Sequence, residues 1–366
     1  FAEICRRILA RVQTTWPQNL PQSWPPRILM DTSHPACMDK LDSFQRLTNQ
    51  IFAGQQLGEE GYLDITETFS RHLSIAGLLN RLKEQGTHLA GFVINLGAAD
   101  GLCFPGAHWD AANCLLHELG NPDVPSMYKG LRFGGLFVDG SHTANLTLNL
   151  EPYKAQGVKA VAEMLFPHNI TRFLEFHDVP YTADLDLLKI DIDGLDYELL
   201  EMILIAGYRP KVVHIEPFMY LPPFADAIGP SSNAKFGMAF TSIKAMTRLA
   251  KDHGYVLFAI DLEHATFLRG DLESKLALPD QARSLDLDLH WRFGHYCHPM
   301  RRFAFCLDFW IASFGVDSGA WIDPALSLHE RKHLFSEFWR RYMRTQREIP
   351  FGCPRPGMTA IYYEAK

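Results

Sequence analysis

LDLLKIDIDGLDYELLEMILIAGYRPKVVHIE, residues 185–216, decides the fold. An apolar run that reads as a buried strand carries Lys189 and ends in Asp191, Asp193 and Asp196 within six positions. Leu199, Leu200, Ile203 and Leu204 then form an apolar stripe at helical spacing, with Gly207 placed to close the helix and Pro210 to precede the next strand. PKVVHIEP, residues 210–217, is a second short apolar run ending in an acid. Strand, helix and strand in this order predict one unit of a parallel sheet.

The same shape recurs outward. GFVINLGAADG (91–101) and GGLFVDGSH (134–142) are short apolar runs falling into glycine turns, and GYVLFAIDLEHATFLR (254–269) reads as two strands joined by a short turn. TSIKAMTRLAKDHG (241–254) is helix-like. The expectation is an α/β fold: a mostly parallel sheet covered on both faces, with an antiparallel hairpin at one edge. In such sheets ligands lie beyond the carboxyl ends of the strands, which is where these acids gather.

Composition narrows the classes. Of 366 residues 47% are apolar and 21% charged, as in ordinary globular proteins. The net charge of −7 is spread without a basic stripe, which argues against a general nucleic-acid binder. Arg340, Arg341, Arg344 and Arg347 are explained by the solvated face of a basic amphipathic helix within 331–348. The seven cysteines are scattered, with no C-x-x-C pair, and suit buried thiols. No apolar run is long enough to span a bilayer. The chain begins at Phe1, as a processed organellar or secretory product or a fragment would, so the compartment stays open. Three regions are expected: a proline-rich arm and helical extension over 1–88, an α/β domain over 89–272, and an extension with the basic helix over 273–366.

Four constellations can carry chemistry. In the first, Gly97 and Gly101 lack side chains that would keep a ligand from the backbone, although G-x-x-x-G is not a phosphate-cradling pattern. In the second, Asp139 ends a strand where it can accept hydrogen bonds from a ribose diol. In the third, Lys189 and Asp191 share one strand face, joined by Asp193 if the strand continues. Carboxylates there can take a proton or hold a divalent cation, with Asp191 and Asp193 the ligands if one binds. Asp196 is read as capping the helix that begins near Tyr197. The fourth is His214 and Glu216, of which Glu216 is preferred as functional.

GFVINLGAADG followed by DLLKIDIDGLDYELLEMILIAGYRPKVVHIE resembles the FkbM-type S-adenosylmethionine-dependent methyltransferases over roughly residues 89–272. The resemblance implies a seven-stranded class I methyltransferase fold with S-adenosylmethionine as cofactor. It places Asn95, Gly97, Ala98, Ala99, Asp100 and Gly101 around the methionine part and Asp139 at the ribose. Lys189, Asp191, Asp193 and Glu216 fall on the catalytic side. Asn95 stands where the family carries an acid, and removes that charge. VDGSH also resembles the fourth-strand motif of metal-assisted methyltransferases; the second-strand register is preferred because it leaves DLLKIDIDG in its family position. The interval between the first two strands predicts an insertion around 108–130.

Two functions follow as expectations. The first is methylation of a hydroxyl on a small molecule or sugar, in which Asp191→Asn removes activity and leaves folding nearly intact. The second is a structural subunit that keeps the fold and docks partner chains.

Overall fold

The computed structural model describes residues 75–102, 112–113, 115–116, 133–141, 143–181, 185–192, 194–219, 221–228, 241–261, 263–276, 287–296, 318–321, 323 and 325–345. All seven cysteines, Asp193, and most of the predicted insertion and proline-rich arm lie outside these residues.

Seven strands form one sheet: β1 Phe92–Leu96, β2 Gly134–Asp139, β3 Val158–Ala162, β4 Leu187–Ile190, β5 Val212–Ile215, β6 Tyr255–Asp261 and β7 His264–Arg269. Their spatial order is β3-β2-β1-β4-β5-β7-β6. β3, β2, β1, β4 and β5 pair in parallel, while β7 runs antiparallel between β5 and β6. This is the mostly parallel seven-stranded sheet with an antiparallel edge pair that the class I methyltransferase fold implies. Asp139 ends the second strand in sequence and in pairing, so the fourth-strand reading of VDGSH is overturned. β3 was not legible as a strand. VKAVA is an edge strand with only Val158 buried, so it has no continuous apolar run to mark it.

The helices are α1 Ile75–Glu84, α2 Thr143–Leu150, α3 Ile170–Phe176, α4 Asp196–Ile205, α5 Ile243–Asp252, α6 Gly270–Glu273, α7 Leu287–Trp291 and α8 Leu328–Thr345. Alternation along the strands divides the core in two. Ile94, Leu96, Leu188, Ile190, Val213 and Ile215 pack with α3, α4 and α5. Val93, Phe137, Leu187, Val212 and Leu268 pack on the other face with α1, α2, Ala112, Leu115 and Leu116. The predicted stripe of α4, Leu199, Leu200, Ile203 and Leu204, is fully buried. Each such side chain contributes roughly 1.5–3 kcal/mol of transfer free energy. Ser242 caps α5, its hydroxyl accepting from the Ala245 amide, and Gly207 follows α4 at φ +96°.

Described residues of the C-terminal region pack against this body. Trp291 and Tyr296 belong to the core of the α4 face, and the Trp291 indole donates to the Met219 carbonyl at 2.7 Å. α8 buries Phe338 against Leu221, Ala225 and Trp321, with Leu334, Phe335 and Trp339 packed around them. Its apolar face is thus covered by the loop after β5. Arg340 and Arg341 lie on the exposed side, as the solvated-face reading expects. No described helix is long and apolar enough to cross a membrane.

Candidate functional site

Strand periodicity and register together build two polar rungs across one face of the sheet. Asn95 on β1 lies opposite Lys189 on β4, Lys189 opposite His214 on β5, and His214 opposite Thr266 on β7. All four are buried, Asn95 completely. Two residues further toward the carboxyl edge, on the same face, come Asp139, Gly97, Asp191, Glu216 and, on the returning strand, His264. The parallel ladder carries on past the strand ends to place them: the Asp191 amide donates to Leu96 and the Glu216 amide to Ile190.

Side-chain contacts join the rungs. The Lys189 ammonium donates to the Gly97 carbonyl at 2.9 Å and pairs with Asp191 Oδ2 at 3.2 Å. His264 Nε2 lies 3.3 Å from the same oxygen. Behind it the His264 ring stacks on His214 with centroids 4.7 Å apart, and His214 Nδ1 is 3.1 Å from the Thr266 hydroxyl. Glu216 also hydrogen-bonds Asp191.

These contacts sort the protons. Burial alone would raise the Asp191 pKa. The Lys189 charge and the His264 and Glu216 hydrogen bonds outweigh it and hold Asp191 well below the usual carboxylate range. Burial and the Asp191 charge push Glu216 well above that range, so Glu216 is the protonated partner and donates to Asp191. For His264, burial lowers the pKa, but the hydrogen bond and charge of Asp191 prevail and raise it. Lys189 and His264 thus both bear on one oxygen of Asp191, and its lowered pKa favours the charged carboxylate.

Asp196 is the first residue of α4. Its carboxyl accepts from the Ile192 amide at 3.0 Å and the Gly194 amide at 2.9 Å, closing the turn between β4 and α4. Burial and the Asp191 charge raise its pKa to about 7 against the pull of those amides.

The glycine turn is held from beneath. The Gly97 and Ala98 amides both donate to the Val138 carbonyl at 2.9 Å. The Asn95 amide donates to Asn113 Oδ1, and Asn113 donates in turn to the Ala98 carbonyl. Gly97 has φ +86°, and a Cβ there would lie 1.7 Å from the Asp191 carbonyl oxygen. At Gly101 a Cβ would meet Leu146 and Leu150 at 3.0–3.2 Å. Both glycines thus make room for parts of this chain on the side where a Cβ would stand. Asn95 and Ala98 have no exposed surface.

What faces outward is Ala99, in left-handed conformation at φ +50°, with Asp100 and Asp139 partly exposed beside it. Asp139 Oδ2 accepts from the Ala99 amide at 2.9 Å, and Oδ1 accepts from the Ser141 amide and hydroxyl. Past Asp139, Met164 and Phe166 are exposed, and Gly140 leaves room for the Met164 sulfur.

At the β2 end an acid, an outward-turned backbone and an apolar surface adjoin, as the ribose and base of the expected cofactor would require. Asn95 lies beneath the turn, sealed from solvent. A divalent cation finds no support: among the described residues no group of three or more His, Cys, Asp or Glu is arranged to hold one. The Lys189 ammonium already neutralises Asp191. Sequence reasoning missed His264 and the Met164–Phe166 surface. His264 was read only as part of a hairpin, although the first residue of a returning edge strand is carried to the carboxyl edge by topology.

No family model and no curated protein matches this chain by sequence. Among solved structures it is similar to magnesium protoporphyrin IX methyltransferase (ChlM) from Synechocystis PCC 6803, at 9% identity over 63% of this chain and 96% of that one, TM-score 0.30. It is also similar to CalO1, a methyltransferase in calicheamicin biosynthesis, at 16% identity over 73% and 84%, TM-score 0.29. A third is CalS11, a TDP-rhamnose 3'-O-methyltransferase, at 16% over 64% and 95%, TM-score 0.32. None of these likenesses assigns a reaction to this chain.

Proposed function

We propose that this protein is an S-adenosylmethionine-dependent methyltransferase acting on a hydroxyl of a small molecule or sugar. The observation that carries the reading is the His264–Asp191 pair, set on the same rung as the turn that Asp139 holds. When bound, S-adenosylmethionine supplies an electrophilic methyl group on a sulfonium. Asp139 and the 97–101 turn would bind its ribose side, and Met164 and Phe166 offer an apolar surface to its base.

The residues of the chain do the rest. With Nε2–H donated to Asp191, Nδ1 of neutral His264 carries the lone pair that takes the proton from an acceptor hydroxyl. Asp191 fixes the ring and stabilises the imidazolium that forms. Glu216, protonated, satisfies Asp191 from its other side and adds no second negative charge.

Calorimetric titration with S-adenosylmethionine and S-adenosylhomocysteine tests the reading. Micromolar binding that weakens at least tenfold in Asp139→Ala supports it; a folded chain that binds neither compound refutes it.

A further inference from the structure

Lys189 lies in the middle of a sheet strand with 1% of its side chain exposed. A buried ammonium is costly, and an apolar side chain of similar length would pack there at no electrostatic cost. Two of its contacts point to what it does. One is the carbonyl of Gly97, the first residue of the turn after β1; the other is the carboxylate of Asp191, the first residue after β4. The same two residues touch through their backbones, because Gly97 has no Cβ to hold the Asp191 carbonyl away. One ammonium thus spans the place where two loops meet.

We propose that Lys189 is a positioning residue that clamps the glycine turn to Asp191, so that the turn holding the cofactor and the pair that takes the acceptor proton shift as one body. This deepens the methyltransferase reading and rests on it for its functional meaning. Methyl transfer needs donor, acceptor and base in line within a few tenths of an ångström, and a shared clamp fixes that distance without a direct contact to either reactant. Lys189 touches neither, so its role is exerted through Gly97 and Asp191. His264, the reporter on the far side, faces Asp191, Lys189 and Glu263 as charged neighbours and His214 as its stacking partner.

The test compares the full chain with Lys189→Met and Lys189→Arg, using S-adenosylhomocysteine as the probe. Affinity is read by calorimetry and the His264 ring by NMR titration, with and without the probe. The expected result is that the probe shifts the His264 titration in the parent chain. Lys189→Met should bind it roughly tenfold more weakly, ~1.4 kcal/mol, and lose that shift, and Lys189→Arg should recover part of both. Removing the Lys189 charge should also move the ligand-free His264 pKa upward. A folded Lys189→Met with parental affinity and parental His264 response overturns the proposal, because a merely stabilising lysine would behave that way. If the parent chain does not bind the probe, the methyltransferase reading fails and the clamp is judged without ligand. Amide exchange at residues 97–101 about tenfold faster in Lys189→Met, with the raised His264 pKa, sustains it; unchanged exchange overturns it. Should Lys189→Met not fold, Lys189→Gln, which keeps a donor and loses the charge, is held to the same criteria.

Discussion

Replacing Gly97 with alanine separates a glycine required by its neighbours from one required only by its own backbone. At φ +86° the new methyl group incurs the left-handed penalty, about 1–2 kcal/mol. It would also lie 1.7 Å from the Asp191 carbonyl oxygen, so the two loops must part by about 1.3 Å to reach the 3.0 Å that real contacts respect. Such a shift strains the Asp191 amide bond to Leu96 and the contacts of Lys189 with both loops. Losing one hydrogen bond to a charged group costs about 1.5–3 kcal/mol. The total comes to roughly 2.5–5 kcal/mol, a large part of the roughly 5–15 kcal/mol that holds a typical domain. Gly157→Ala is the control: φ is +88°, nothing lies within 4 Å of its would-be Cβ, and only the conformational penalty applies. Urea unfolding of both variants at neutral pH, with matched m values, measures the difference directly. Losses that agree within ~0.5 kcal/mol would refute the claim that Asp191 dictates glycine at 97. A Gly97→Ala chain that fails to fold, beside a folded Gly157→Ala, would uphold it.

Other outcomes follow from the same contacts. Asp191→Asn should destabilise the chain by about 3 kcal/mol, contrary to the sequence-based expectation of a nearly intact fold, because Lys189 stays buried without its carboxylate. Adding Lys189→Met should restore part of that loss in thermal unfolding. The His264 ring should titrate above the ordinary value of 6.5, and below its parental value in Asp191→Asn; an NMR titration unaltered by the substitution would remove Asp191 as the cause. Asp196 has a folded-state pKa of about 7 against an ordinary 3.8, so the folded chain retains a proton there that the unfolded chain releases. Its contribution is greatest below about pH 4 and is lost as pH rises to about 7, by at most ~1.4 kcal/mol per pH unit. Asp196→Asn should flatten that slope in denaturation across pH 4–8. At the opposite edge of the sheet, Lys211 and Asp186 are buried at 2.7 Å, and Lys211→Met alone should cost about 3–5 kcal/mol in the same assay.

The fold was legible where a strand is apolar throughout or a helix has one apolar side. FVINL, GGLFVD, LLKI, VVHI and the 254–269 hairpin all stand where their patterns put them. β3 escaped because an edge strand half open to solvent needs no such run. The candidate site was half legible for a related reason. Lys189 and Asp191 could be placed on one face of their strand, and His214 and Glu216 on one face of theirs, because alternation is local. The partnership of Asp191 with His264, 73 residues away, depends on β7 inserting antiparallel beside β5, and pairing order leaves no local trace. At the glycines, absence of a side chain reports that something comes close, and on the Cβ side of Gly97 and Gly101 that something is the chain itself.

The inner polar rung also bears on how the strands find their alignment. β4 is four residues long and is paired on both sides, so few hydrogen bonds distinguish one alignment from the next. A slip of one residue would turn Lys189 into the oily layer beneath α4 and leave Leu188 against Asn95 and His214. The misaligned sheet would strand a positive charge in hydrocarbon, at a cost of several kcal/mol. Lys189 therefore works as a key cut for one lock, making the wrong assemblies of a short central strand worse and leaving the right one only modestly better.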